Sequence, residues 1–236
     1  MKISKNYKNL ILIIATISLA GVTFGMTMPL STLTLRSWGV SSTMIGLNSA
    51  MPALSAVLLT PFLPKFINQW GQTNVIRFCL VLVATCCICL PLFPDLFSWF
   101  ILRFLLGAGA TGIWVLSEVW INGYAEDHNR GKIIGAYTAV LSLGFIVGVL
   151  MFSVIGIEDN RAFYLAAGFI IIAAIPIWTI SGLPIDEMAD DVSFWRHMVS
   201  SPGLMGSSWM MGFLYAGTAY LLPIYALQFD LTLAQS

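Results

Sequence analysis

The sequence predicts an all-α membrane protein: a bundle of six transmembrane helices followed by a seventh. Three observations carry that expectation. Hydrophobic residues make up 58% of the chain and charged residues only 9%, against about a quarter charged in a soluble domain. The few charges are grouped, so they divide the chain into long apolar runs. Each run is close to the ~20 residues that cross a ~30 Å hydrocarbon core as helix. Backbone groups in lipid have no water to bond, which leaves helix as the form for runs of this length. A β-barrel would show short alternating segments rather than solid apolar blocks.

The first span, 9–34, follows Lys2, Lys5 and Lys8. Its apolar stretch runs well past a signal-peptide core and no A-x-A site follows, so it reads as a retained helix. The second, 44–64, opens after the polar break TLTLRSWGVSSTM, whose serines and threonines suit a helix cap. The third, 75–94, follows a polar loop containing Gly71, and FPD at 93–95 separates it from the fourth, 97–121. The fifth, 133–155, starts after the basic stretch around Arg130, and IEDN at 157–160 leads into the sixth, 162–183. A long polar segment, 184–200, carries Asp186, Glu187, Asp190, Asp191, Arg196 and His197, and a seventh apolar run occupies 202–227. The domain reading is therefore a six-helix bundle over 1–183, a cytoplasmic linker over 184–200, and over 201–236 the first helix of a second bundle.

Placing the N-terminus in the cytoplasm puts Lys2, Lys5, Lys8, Lys65, Arg77, Arg130, Lys132 and Arg196 on the inner side and only Arg36 and Arg161 on the outer side. That distribution obeys the positive-inside rule. The net charge of zero averages two different faces and gives no reason to expect a nucleic-acid partner.

Within the fourth span the chain reads RFLLGAGATGIWVLSEVW, which includes a G-x-G-x-x-G. A dinucleotide fingerprint must follow a strand and open a helix in a soluble βαβ unit. This one lies inside an apolar span, so its glycines at 107, 109 and 112 read as close-approach positions between helices. At 100° per residue Arg103, Gly107, Ala110, Trp114 and Glu118 fall on one stripe, with Gly109 and Gly112 turned away. Charged residues in a span normally face a bundle interior or a water-filled cavity, or snorkel to an interface. Arg103 and Glu118 are 118 − 103 = 15 residues apart, ~22 Å along a helix, so they do not pair with each other.

R103-F-L-L-G107-A-G109 resembles the R-x-x-x-G-x-G signature in the fourth helix of major facilitator superfamily transporters. P64-K-F-I-N-Q-W-G71-Q sits where that superfamily carries its G-x-L-x-D-R-x-G-R gating loop, but the Asp–Arg pair is replaced by Asn68 and Gln69. I113-W-V-L-S-E118 with N129-R-G131-K is similar to the YcaD-like bacterial branch. G144-F-I-V-G148-V resembles the antiporter pattern G-P-x-x-G-G without its proline and final glycine, which speaks against a standard drug antiporter. The resemblance implies two six-helix halves joined by a cytoplasmic linker. An apparent repeat supports it: the break after the first span, from Thr32, is matched after the seventh, from Pro223, at 223 − 32 = 191 residues. On this reading the chain is one half and the first helix of another, a truncated twelve-helix architecture.

The implied function is secondary active transport of a small molecule across a bacterial inner membrane by alternating access, with ion coupling, by an incomplete carrier. The alternative is a non-transporting fragment or half-transporter that needs a second polypeptide, or a second copy as a homodimer. Arg103 and Glu118 are the candidate transport and coupling residues. Trp114, Gly107 and Asn48 are the candidate cavity residues, and Asn68, Gly71 and Arg130 the gating-loop residues. Protons are the candidate coupling ion, and no cofactor or metal is expected. Cys86 and Cys89 spell C-x-x-C, but inside lipid the four cysteines read as small apolar side chains. His128 and His197 read as solvated loop residues, the methionines as interface fillers, and Tyr215, Tyr220 and Tyr225 as interfacial anchors or ligand contacts. The motifs of intramembrane enzymes, H-E-x-x-H and G-x-G-D, do not occur.

Overall fold

The computed structural model describes residues 2–125, 128–156, 160–180, 200 and 202–226. Of the linker expected over 184–200 only Ser200 is described, and residues 157–159 and the polar break after Ala226 lie outside the described residues. So do the side chains of Tyr215, Tyr220 and Tyr225.

The helices are α1 (Lys2–Ser37), α2 (Ser42–Leu59), α3 (Leu63–Trp70), α4 (Gln72–Leu92), α5 (Leu96–Tyr124), α6 (Arg130–Ile155), α7 (Arg161–Thr179) and α8 (Pro202–Ala226). No strand occurs among the described residues. By length and composition six stretches are able to cross a membrane, from Lys8–Ser37 to Arg161–Thr179. Their order and bounds follow the apolar runs, because each run must bury its backbone in its own helix. Prolines 29, 52, 91 and 176 sit inside helices, as is common where neighbouring helices supply compensating contacts.

Two connections differ from expectation. The segment expected as a loop after the second span is helical: a 3-10 turn, Thr60–Phe62, bends α2 into α3. The reversal is confined to Gly71, whose φ of 78° lies in the left-handed region that glycine enters at no steric cost. Asn68 is therefore a helix residue and not a loop residue. The sixth helix stops at Thr179, short of the expected 183.

The short reversals are capped locally. Ser41 accepts from the backbone N–H of Met44, and the Asp95 carboxylate accepts from that of Ser98 at 2.8 Å. The bonds from Ser98 hold the Asp95 carboxyl below the usual carboxylate range.

α1 packs against α6 and α7, α4 against α5 and α7, and α2 against α5. α8 leans on α1, and its Trp209, Met210, Met211 and Phe213 are exposed. Close approach is bought by glycine at two seams. Gly21 and Gly25 of α1 lie against Leu141 and Phe145 of α6, while Gly144 and Gly148 of α6 lie against Ser18 and Val22 of α1. Two G-x-x-x-G stripes thus face each other, each leaving room only for the other's backbone. On α5, Gly109 meets Val83 of α4 and Gly112 meets the Cys79 thiol. These two glycines form the packing face expected from their spacing.

Polar groups inside the bundle join the helices. Trp120 Nε1 donates to Gln72 Oε1 at 2.5 Å across α5 and α4, and Asn9 Nδ2 donates to the Tyr124 hydroxyl at 2.9 Å across α1 and α5. Thr16 and Thr23 of α1 donate to the carbonyls of Ala173 and Ala166 on α7. The Arg77 guanidinium lies 5.4 Å from the centre of the Trp178 ring. These contacts put the starts of α1, α4 and α6 and the ends of α3, α5 and α7 at one end of the bundle. Ser41, Asp95 and Asn160 lie at the other.

Candidate functional site

The α5 stripe does not look onto one open face; it winds past three partners. Arg103 is 1% exposed, and its Nη1 donates to Ser31 Oγ of α1 at 3.4 Å. Ser31 passes its own hydrogen to the carbonyl of Thr27 at 2.7 Å. Arg103 is therefore held inside the bundle and does not snorkel. The Ser31 hydroxyl carries no signal in the sequence as a partner for Arg103, because it is neutral and lies on a distant helix.

One turn on, Gly107 faces Pro52 and Ser55 of α2. It acts as a close-approach glycine. Asn48, one turn before Pro52, is 1% exposed, and neither its amide N–H nor its carbonyl has a hydrogen-bond partner among the described residues. Since α2 and α5 run in the same direction, the register set by Gly107 and Pro52 places Asn48 at the level of Arg103.

Trp114 is the centre of a three-ring stack. Phe24 of α1 stacks on it at 4.7 Å and 24°, and Phe145 of α6 at 6.2 Å and 12°. Trp114 is thus packed against rings of α1 and α6 while staying partly exposed. Phe24 and Phe145 were missed in the sequence, because aromatics in different helices carry no spacing signal.

Glu118 is the one exposed member of the stripe. The Tyr137 side chain of α6 lies within reach of its charge. Tyr137 is buried, and its hydroxyl has no partner among the described residues. The two are matched in depth: Glu118 is 124 − 118 = 6 residues from the end of α5, and Tyr137 is 137 − 130 = 7 from the start of α6. Arg130, exposed at the start of α6, and Gly71, at the start of α4, occupy the same end of the bundle.

Among the described residues no group of His, Cys, Asp and Glu could hold a metal ion. The cysteines are free thiols, with Cys79, Cys86 and Cys87 buried in α4. The arrangement is that of a membrane bundle with a buried cation near one end, an aromatic stack at mid-depth and an exposed carboxylate nearer the other end.

The family model described as Major Facilitator Superfamily matches residues 12–236. The chain belongs to that superfamily, a family of multi-pass membrane transporters and not of enzymes. It is 20% identical over 233 residues to the uncharacterized MFS-type transporter YfkF of Bacillus subtilis, covering 94% of this chain and 58% of that protein. To the uncharacterized MFS-type transporter YcaD of Salmonella paratyphi B it is 26% identical over 166 residues, covering 70% of this chain and 42% of the relative, as the motif resemblance implied. A solved nucleoside transporter, NupG, shares the fold with a TM-score of 0.73 at 14% identity, over 96% of this chain and 59% of that one. The chain thus spans less than two thirds of the length of these relatives.

Proposed function

We propose that this bundle is one half of an ion-coupled secondary transporter of the bacterial cytoplasmic membrane that moves a small molecule by alternating access. The observation that carries the reading is Glu118: an exposed carboxylate on a membrane-spanning helix, beside a buried phenol and below a fixed aromatic stack. A carboxylate in a span is costly and is retained where it meets water, an ion or a substrate. Arg103 and Asn48 form the polar layer nearer the opposite end, and Trp114, stacked with Phe24 and Phe145, lies between the two. Asn68, Gly71 and Arg130 lie at the end where a gate would close.

Alternating access rocks one half against another around a site at their interface. The exposed apolar faces of α2 and α6 are the surfaces proposed to meet the opposing unit, either a second half or another copy. The test is proton movement in vesicles containing the chain with an opposing half, driven by a panel of nucleosides, sugars and amphipathic cations. Glu118→Gln is expected to insert normally and to lose substrate-driven proton movement at every pH, since an amide neither takes up nor releases a proton. Wild-type coupling in that variant would remove Glu118 from the mechanism. Saturable uptake by this chain alone would replace the two-polypeptide carrier with a homodimer.

The orientation is part of the proposal. The basic end, with Lys8, Lys65, Arg77, Arg130 and Lys132, is placed in the cytoplasm. Cysteines introduced at Ser41 and Asn160 are expected to react with an impermeant thiol reagent added outside whole cells, and one at Asn129 is not. The opposite pattern would invert the bundle.

A further inference from the structure

An apolar groove of about 560 Å³ runs along the outer seam between α4 and α7, lined among others by Leu80, Ile88, Ile171, Ala174, Ile175 and Trp178. It lies on neither the α5 stripe nor the α1–α6 seam, and the transport reading does not use it. Its volume falls within the ~300–1,000 Å³ of small-ligand sites, yet its walls offer almost nothing to a polar solute. Apart from the Thr85 hydroxyl in its wall, polar character gathers at one mouth. There the Arg77 guanidinium lies 5.4 Å over the Trp178 ring, within the ~6 Å reach of a cation–π contact. The Arg77 Nε is shielded from solvent and has no hydrogen-bond partner among the described residues. No carboxylate among the described residues is paired with this guanidinium.

The groove's length identifies its occupant. From Arg77 to Ile88 is 88 − 77 = 11 residues, ~16 Å of helix, or about half of a ~30 Å hydrocarbon core. The groove thus runs from a Trp–Arg pair suited to the membrane–water interface over a length comparable to one leaflet's acyl chain. We propose that it is a binding site for an anionic phospholipid. One acyl chain lies between α4 and α7, and the headgroup phosphate is bonded by Arg77, which Trp178 holds in position at the mouth. A zwitterionic lipid would fill the same groove, but its ammonium group would weaken the net attraction to the guanidinium.

The experiment uses the purified 236-residue chain in detergent, incubated with phosphatidylglycerol and phosphatidylcholine of identical chains, with retained lipid read by native mass spectrometry. Phosphatidylglycerol is expected to be retained about five-fold over phosphatidylcholine, the size of effect one interfacial basic residue gives. Arg77→Gln is expected to abolish the preference, Arg77→Lys to keep most of it, and Lys65→Gln, which removes an exposed charge at the same end, to leave it intact. Ala174→Trp, which fills the groove, is expected to lower retention of both lipids. Should that variant not fold, Ile175→Ser at an exposed groove position takes its place with the same expectation. Equal retention of the two lipids by the unaltered chain, a preference that survives Arg77→Gln, or undiminished binding in the groove variants would each overturn the site.

Discussion

Gly148→Leu is expected to separate α1 from α6 and to leave little folded bundle in detergent. A side chain at Gly148 is driven into the backbone of α1 at Val22, Gly25 and Met26, and not into a flexible side-chain end that could swing aside. Gly25 faces the backbone of Phe145 in the same way, so α1 has no slack to give. Overpacking of a core costs about 1–3 kcal/mol where side chains can adjust; here two helices must move apart, and the loss is expected at or above the top of that range. The matched control is Gly135→Leu on the same helix, where an added carbon meets nothing. Thermal unfolding followed by size-exclusion should show the first variant aggregated or strongly destabilised and the second near the parent. Equal behaviour of the two would show that the facing glycine stripes do not hold the bundle together.

Arg103→Ala is expected to destabilise the bundle by about 3 kcal/mol, the middle of the range for truncating a large buried side chain. In a bundle of this size that corresponds to a fall of roughly 6–12 °C in melting temperature. The substitution empties the space of a fully buried guanidinium and removes the bond to Ser31. Ser31 is not itself orphaned, because its hydroxyl still donates to Thr27, so the effect is dominated by the cavity and by the lost donors. Arg103→Met, which restores the volume, should recover part of the loss. A melting temperature for Arg103→Ala within a degree or so of the parent would mean that the guanidinium is solvated in the bundle and does no structural work there.

The span boundaries were legible because lipid imposes a local condition. Any backbone segment crossing it must bond within itself, so length and apolarity are enough to place Ser42, Leu96 and Arg161 near the starts of helices. Gly109 and Gly112 were legible for a related reason, since helical periodicity alone turns them away from the Arg103 stripe. The α3 helix was misread as loop because its residues, Leu63–Trp70, are polar enough for an interface and a loop signal cannot tell a surface helix from a coil. There one glycine of positive φ carries the whole reversal.

The sequence by itself determined the solvent, the order of the first six spans, the family signature at Arg103–Gly109, and the unusual presence of a cation and a carboxylate within one span. Each of these is a property of a single helix and its neighbours in sequence. Only the tertiary structure decided that Arg103 is met by Ser31, that Trp114 stacks with Phe24 and Phe145, that Asn48 and Tyr137 are buried with no hydrogen-bond partner among the described residues, and that Glu118 alone of the α5 stripe is exposed. Those facts depend on which helix lies beside which and at what register. That choice is made by short-range packing between distant glycine stripes, and it leaves no period in the chain from which it could be read.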